Sequence, residues 1–310
     1  MIWFVIQGVL DSAIRYSTPL SLAALGGMYT ARTGILNFSL EGIMTMGAFM
    51  AVWGSYLTGE PWMGVLFGIV GGLSMGLVLG VCAISGGVNQ VVAGTGVNIL
   101  GLGLASFLNN IVYGGVTPTK VASFEKIAIP LLSKIPVIGP MLFDKKILTF
   151  LLYGIVLVSW FVIYKTPFGL KMRAIGDNPA AADSLGINVN RMRYIAVVIS
   201  GILGGLAGAA LSIGELSTYL DNMVAGRGYL AWGAVTVGQW NPVGVMLTGL
   251  LFGLGEAVQM RMQAAGSILP YQFLVMLPYV LTILVMNGFI GKTEAPHSMG
   301  KPFLKGGEKF

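Results

Sequence analysis

Apolar runs of about 20 residues, the length a helix needs to cross a hydrocarbon core, recur along the chain between short polar stretches. They predict helices at roughly 9–30, 39–58, 62–82, 90–113, 147–165, 194–214, 225–239, 242–260 and 268–288, nine segments in all. Barrel strands would alternate polar and apolar positions over ~10 residues, and these runs do not. The pattern therefore predicts an all-α, polytopic transmembrane helical bundle, with residues 1–310 as one membrane domain.

Composition narrows the class. Hydrophobic residues make up 55% of the 310 and charged residues 10%, whereas soluble domains carry about 25% charged residues. Glycine is abundant, at 46 residues, and two ridges stand out: Gly68, Gly72, Gly76 and Gly201, Gly205, Ala209. Small residues at that spacing let helices approach closely in lipid, and packing is the role expected of them. The net charge of +6 sits in basic loops, as expected for a membrane protein rather than a nucleic-acid binder. Cys82 is the only cysteine and His297 the only histidine, so a disulfide, a cysteine metal site or His-based acid–base chemistry has little material. The N-terminus is apolar at once, with no basic region and no small-residue cleavage site, so no cleavable signal peptide is expected.

Basic loops set the orientation. Residues 165–193 hold five basic and two acidic residues, and the tail holds Lys292, Lys301, Lys305 and Lys309 against Glu294 and Glu308. Both are expected in the cytoplasm, and the four segments between them agree with that. Arg32 falls on the same side, and the N-terminus falls outside. Residues 114–146 become an external loop, although five lysines there, against Glu125 and Asp144, run counter to the rule. Within it, IPLLSKIPVIGPMLF (Ile129–Phe143) alternates rigid turns with apolar residues, suited to the membrane interface or to receiving an external protein.

The cytoplasmic island KMRAIGDNPAAADSLGINVNRMRY (Lys171–Tyr194) reads as one short helix. Asp177 and Asn178 suit a helix start, Pro179 its first position, Ala180 to Ala182 its body and Gly186 its end. An ordered polar element kept outside lipid is expected to dock a partner. Within loop 166–193 the candidates are Gly176, Asp177, Asn178, Pro179, Ala182, Asp183, Gly186 and Asn188.

Inside the apolar segments, Asn37 or Ser39 can cap the second helix, and Glu41 falls in its first turn. An ionisable residue near hydrocarbon is expensive, so Glu41 either ties two helices together or lines a polar pathway. Asn98 lies within an apolar helix and bonds either a neighbouring helix or a polar solute. Asn37, Glu41 and Asn98 are the candidates for a translocation path. A helix break is predicted at Asn241-Pro242, because the residue before proline disfavours helix. Acids within or at the ends of the segments are few, Glu41 and Glu256 among them. That scarcity disfavours the alternative reading, a stand-alone secondary carrier for a small polar solute.

Six stretches carry a resemblance: TGILNFSLEG, GTGVNILGLG, IPLLSKIPVIGPMLF, KTPFGLKMRAIGDNPAAADSLGINVNRMRYIAVVISGILGGLAGA, GRGYLAWGAVTVGQWNP and LPYVLT. Through them the chain resembles, nearly end to end, the bacterial inner-membrane permease subunits of ABC transporters for simple sugars and nucleosides. The similarity is to the nucleoside branch, which depends on a basic membrane lipoprotein. It departs from the family pattern at Ala31, often acidic there, and at Gln239, often arginine. The resemblance implies a type II importer-like permease, multi-pass in the bacterial cytoplasmic membrane. It also implies a second, different permease, a cytoplasmic ATPase and an external substrate-binding lipoprotein. The substrate would be a nucleoside or simple sugar. ATP and Mg would sit on the ATPase, with no cofactor on this chain and no enzyme activity of its own. Residues 177–188 would be the ATPase-coupling element.

Overall fold

The computed structural model describes residues 2–114, 120–130, 133, 138–266, 271–288 and 295–303. Helices dominate. The first four are α1 (Ile2–Arg32), α2 (Leu40–Thr58), α3 (Pro61–Gly80) and α4 (Gln90–Tyr113). A hairpin region follows, with β1 (Lys126–Ala128), α5 (Ile138–Phe143) and β2 (Asp144–Lys146). Next come α6 (Ile147–Lys165), α7 (Pro167–Asp177), α8 (Pro179–Ser184) and α9 (Val189–Ala209). The chain closes with α10 (Arg227–Val237), α11 (Pro242–Ala264), α12 (Tyr271–Val275) and α13 (Leu277–Gly288). Among the described residues, five stretches are long and apolar enough to cross a membrane: Pro61–Ser85, Gln90–Tyr113, Ile147–Lys165, Val189–Leu216 and Pro242–Ala264.

Local chemistry explains the boundaries. Four helices open on proline, at Pro61, Pro167, Pro179 and Pro242. Proline fits the first helical position because the amide it lacks has no intrahelical partner there. In three of them the preceding residue also caps: Thr166, Asn178 and Asn241 accept from the amides of Gly169, Ala181 and Val243. Asn89 does the same for α4, accepting from Val91 at 2.9 Å.

The structure differs from the predicted pattern in three places. Helix α7 fills the start of the island, where a single short helix was expected. Its buried positions, Gly169, Met172, Ile175 and Gly176, fall three or four apart, an amphipathic period hidden among charged residues. The expected helix at 268–288 is two, α12 and α13, with Pro278 at the second position of α13. Within residues 114–146, expected to be a loop, β1 and β2 pair antiparallel with Ile127 opposite Lys145. Within the stretch Ile129–Phe143, residues 131–132 and 134–137 lie outside the described residues.

The core forms around α1, α2, α3 and α9. In Val189–Leu216, 78% of the apolar window is buried, against 33% in Gln90–Tyr113 and in Ile147–Lys165. Helix α9 is therefore central, and α4 and α6 are peripheral. The two glycine ridges face each other. A Cβ at Gly72 would overlap the Gly205 Cα, and one at Gly76 would stand 3.1 Å from the Gly201 Cα. On the neighbouring side, a Cβ at Gly47 would lie 2.7 Å from the same Gly205 Cα. Three helices thus meet backbone to backbone, the contact that small residues permit.

Candidate functional site

The island forms one end of the molecule. Thr166 and Asn178 cap α7 and α8, and Asn188 caps α9, accepting from Arg191 N at 2.9 Å. Gly186 has φ +80°, a conformation L side chains rarely adopt, and turns the chain between α8 and α9. The eight expected docking residues divide. Asp177, Asn178, Gly186 and Asn188 are exposed, and Pro179 and Asp183 are half-buried. Gly176 and Ala182 point inward: a Cβ at Gly176 would overlap the Arg32 carbonyl, and Ala182 is fully packed. These two therefore hold the island in place rather than forming its outer face. Leu185, which the sequence did not single out, is 82% exposed at the end of α8. Asp183, Gly186 and Asn188 line a polar cavity of about 380 Å³, together with Phe303 from the chain's last described segment.

The three candidate path residues gather at the start of α2. Asn37 is buried, donates to Ser200 Oγ at 2.8 Å and accepts from Ser39 N at 3.0 Å. Ser200 stands near the middle of the 28-residue stretch Val189–Leu216, so this knot lies deep in the bundle. Asn98 accepts from Gly42 N at 2.8 Å and donates to the Phe38 carbonyl at 2.7 Å and the Tyr229 hydroxyl at 3.1 Å. Glu41 is 3% exposed, and its two oxygens accept from Gly226 N and Gly228 N, each at 2.7 Å. Each of the three thus ties α2 or the turn before it to a different helix.

Glu41 sits at the N-terminus of α10, where unpaired amides and the helix dipole favour negative charge. Helix α10 has only 11 residues. It is entered through a non-helical stretch, with Asn222 at φ 59°, Ala225 at φ 50° and Gly226 at φ 86°. It is left through Gln239 and Trp240, at φ 56° and 52°. Left-handed conformations at non-glycine residues cost energy and persist only where the surroundings enforce them. Non-helical backbone at membrane depth survives where it is buried in protein or lines a cavity. Glu41 pins the entry, and the Arg32 guanidinium pins the exit, donating to the Trp240 carbonyl at 2.8 Å.

Beside this element Arg227 and Glu256 form an ion pair, and Arg227 also donates to the Met223 and Val224 carbonyls at 3.1 Å. Nothing in the sequence signals this pairing, because a separation of 29 positions between α10 and α11 carries no local signal. Around them stand Tyr229 and Tyr279, both partly exposed, and the Phe38–Trp232 ring pair at 5.5 Å.

Two of the lysines in residues 114–146 have partners within the fold. Lys145 is buried, pairs with the Asp11 carboxylate and donates to the Asp11 carbonyl at 3.1 Å. Lys146 donates to the Gly214 carbonyl at the π-helical end of α9 (Ala210–Leu216), where a cation suits the helix dipole. Burial lowers the pKa of both ammonium groups, while Asp11 and Glu215 respectively pull the other way. Two of the five lysines are thus engaged inside the fold rather than free at the surface.

Comparisons with known proteins match nearly the whole sequence. A family model described as branched-chain amino acid transport system / permease component matches residues 9–286. The guanosine ABC transporter permease protein NupQ of Bacillus subtilis is 36% identical, over 96% of this chain and 97% of its own. The nucleoside ABC transporter permease protein NupC of Lactococcus lactis subsp. cremoris is 37% identical, over 97% and 98%. A second guanosine permease of Bacillus subtilis, NupP, is 26% identical over 79% of this chain and 71% of its own. No solved structure matches the chain at a significant level. On this evidence the chain belongs to the branched-chain amino acid transport system / permease component family of multi-pass membrane permeases.

Proposed function

We propose that this chain is the membrane-spanning permease subunit of an ATP-driven importer for nucleosides in the bacterial plasma membrane. The observation that carries the reading is the full-length similarity to NupQ and NupC, both named as permeases for this solute class. Two different guanosine permeases in one relative's organism support a heterodimer, in which a second, different permease faces this one. Nine membrane segments fit the architecture, with α1, α2, α10 and α12–α13 completing the five apolar stretches.

The island is where an ATPase docks in this reading. Asp177, Asn178, Pro179, Asp183, Gly186 and Asn188 face it, and Gly176 and Ala182 seat the island on the body. ATP and Mg belong to that ATPase, which closes on nucleotide and shifts α7 and α8. Residues 114–146 receive the substrate-binding lipoprotein on the other side. The path follows the polar centre. Asn37, Glu41 and Asn98 form its wall, and the partly exposed Tyr229 and Tyr279 suit an uncharged ring-bearing solute. Helix α10, pinned at both ends by single side chains, is the two-state element that alternating access requires.

The test is affinity purification of the chain from its native membrane, followed by solute uptake in proteoliposomes. An ATPase and a second permease should copurify, and nucleoside uptake should require ATP and resist competition by simple sugars. The chain alone moving solute without ATP would overturn this reading in favour of a secondary carrier. Competition by a sugar would reassign the substrate only.

A further inference from the structure

The last described segment, Ala295–Phe303, belongs to no helix or strand, yet it is bound into the body. Pro296 and Ser298 are buried, and Ala295, Met299 and Phe303 pack against the core. Ser298 N donates to the Gly176 carbonyl at 2.9 Å. Its hydroxyl lies 2.7 Å from the same oxygen and 3.1 Å from the Ile175 carbonyl. These carbonyls belong to the last turn of α7, where a helix leaves its acceptors without intrahelical donors. Ser298 therefore caps α7 from more than a hundred residues away. Two residues later, Gly300 N donates to the Gly34 carbonyl at 3.1 Å, in the turn between α1 and α2. That turn is also held by Arg193, whose Nε donates to the Thr33 carbonyl at 3.1 Å.

We propose that Ala295–Phe303 is a strap that makes the coupling helices and the α1–α2 turn move as one body, with Ser298 as its positioning residue. This rests on the reading of the island as the ATPase-coupling element. Hydrogen bonds and the short chain stretches between them form one continuous route. Helix α8 follows α7 through Asn178. The end of α7 is held by Ser298, and Gly300 holds the turn at Gly34. From there the chain runs through Asn37 and its Ser200 bond to Glu41, which holds the entry to α10. Besides the strap, the end of α7 meets the end of α1 through the Gly176–Arg32 backbone approach and through Tyr164, which takes a hydrogen bond from Arg32 at 3.2 Å and lies under the Arg173 guanidinium, but neither contact reaches the turn at Gly34. The far end of the strap, Phe303, reaches the cavity bordered by Asp183 and Asn188, so the strap also adjoins the face that the ATPase meets.

The test uses the complete transporter, with both permeases and ATPase in proteoliposomes. It reads three quantities: ATPase retained, ATP hydrolysed, and nucleoside moved per ATP. Ser298→Ala removes the hydroxyl contacts and keeps the backbone bond. Ser298→Thr keeps the hydroxyl. A chain ended at Glu294 removes the strap. For Ser298→Ala, ATPase retention and hydrolysis should hold while nucleoside moved per ATP falls roughly fivefold, the factor one buried hydrogen bond supplies. Ser298→Thr should recover most of that loss, and the shortened chain should lose more than Ser298→Ala. A wild-type ratio in Ser298→Ala overturns the proposal, whether or not the shortened chain assembles. Loss of ATPase and transport together in Ser298→Ala also overturns it, since the segment would then serve docking rather than transmission. Failure of the wild-type complex to bind any ATPase would instead sink the coupling reading of the island.

Discussion

The seam between α3 and α9 and the polar centre around α10 solve the same problem in opposite ways. At the seam, Gly68, Gly72 and Gly76 meet Gly201 and Gly205 with no side chain between the helices. Cohesion there is spread over many weak backbone contacts, and neither helix can slide without a clash. At the polar centre, α10 is held by a few directed bonds, from Glu41 at one end and Arg32 at the other, with left-handed residues flanking it. The first arrangement suits a body that must not deform. The second suits an element that changes position by exchanging a small number of bonds.

That contrast can be broken most severely at the seam. Gly72→Leu should cost about 3 kcal/mol or more by overpacking, because the obstructing atoms are backbone. The expected outcome is loss of a monodisperse, folded chain by size-exclusion and thermal unfolding. A well-folded Gly72→Leu chain would mean that the seam is compliant.

Next in size is Glu41. Glu41→Ala leaves the Gly226 and Gly228 amides without their acceptor, at about 1–3 kcal/mol for each buried donor left unpaired. Glu41→Gln retains one oxygen acceptor and should cost roughly half as much. In both, uptake per folded transporter should fall further than stability does. Lost expression with normal specific activity would make Glu41 a structural tie only.

Lys145→Met should cost about 1 kcal/mol, since Asp11 keeps contact with water when its partner goes. Transport per folded molecule should be unchanged, and a large transport defect would draw the β1–β2 hairpin into the working cycle.

The smallest effect on stability is expected at Asp177→Lys, within about 0.5 kcal/mol for an exposed site. Uptake should nonetheless be abolished while the permease pair still assembles. Normal uptake would remove the island from the coupling role. Asp177 is the sharper probe because a side chain at Gly176 would collide with the Arg32 carbonyl and confuse folding with coupling.

Much of this was legible in the sequence, for identifiable reasons. Apolar run length located the long helices, and the dipeptides Asn178-Pro179 and Asn241-Pro242 mark helix boundaries because cap and proline act over three or four residues. The ridge spacing at Gly68, Gly72 and Gly76 showed that a close contact exists, although not with which helix. Three features were hidden. Helix α7 has its apolar period diluted by Lys171 and Arg173. The Arg227–Glu256 pair and the Ser298–Gly176 cap join residues whose proximity arises only after the helices pack. No local pattern encodes a partner on another helix. The candidate Asn37, Glu41 and Asn98 were visible as polar residues in apolar surroundings, but their partners at Ser200, Gly226 and Tyr229 were not.

The placement of Ser298 also has a consequence for biosynthesis. A chain emerges from the ribosome N-terminus first, so the Ile175 and Gly176 carbonyls remain uncapped until residue 298 has been made. Every other described element can already have been synthesised by then. The end of α7 is therefore completed only after every described helix and strand has been made, and a chain stalled or clipped before residue 298 leaves that helix end uncapped.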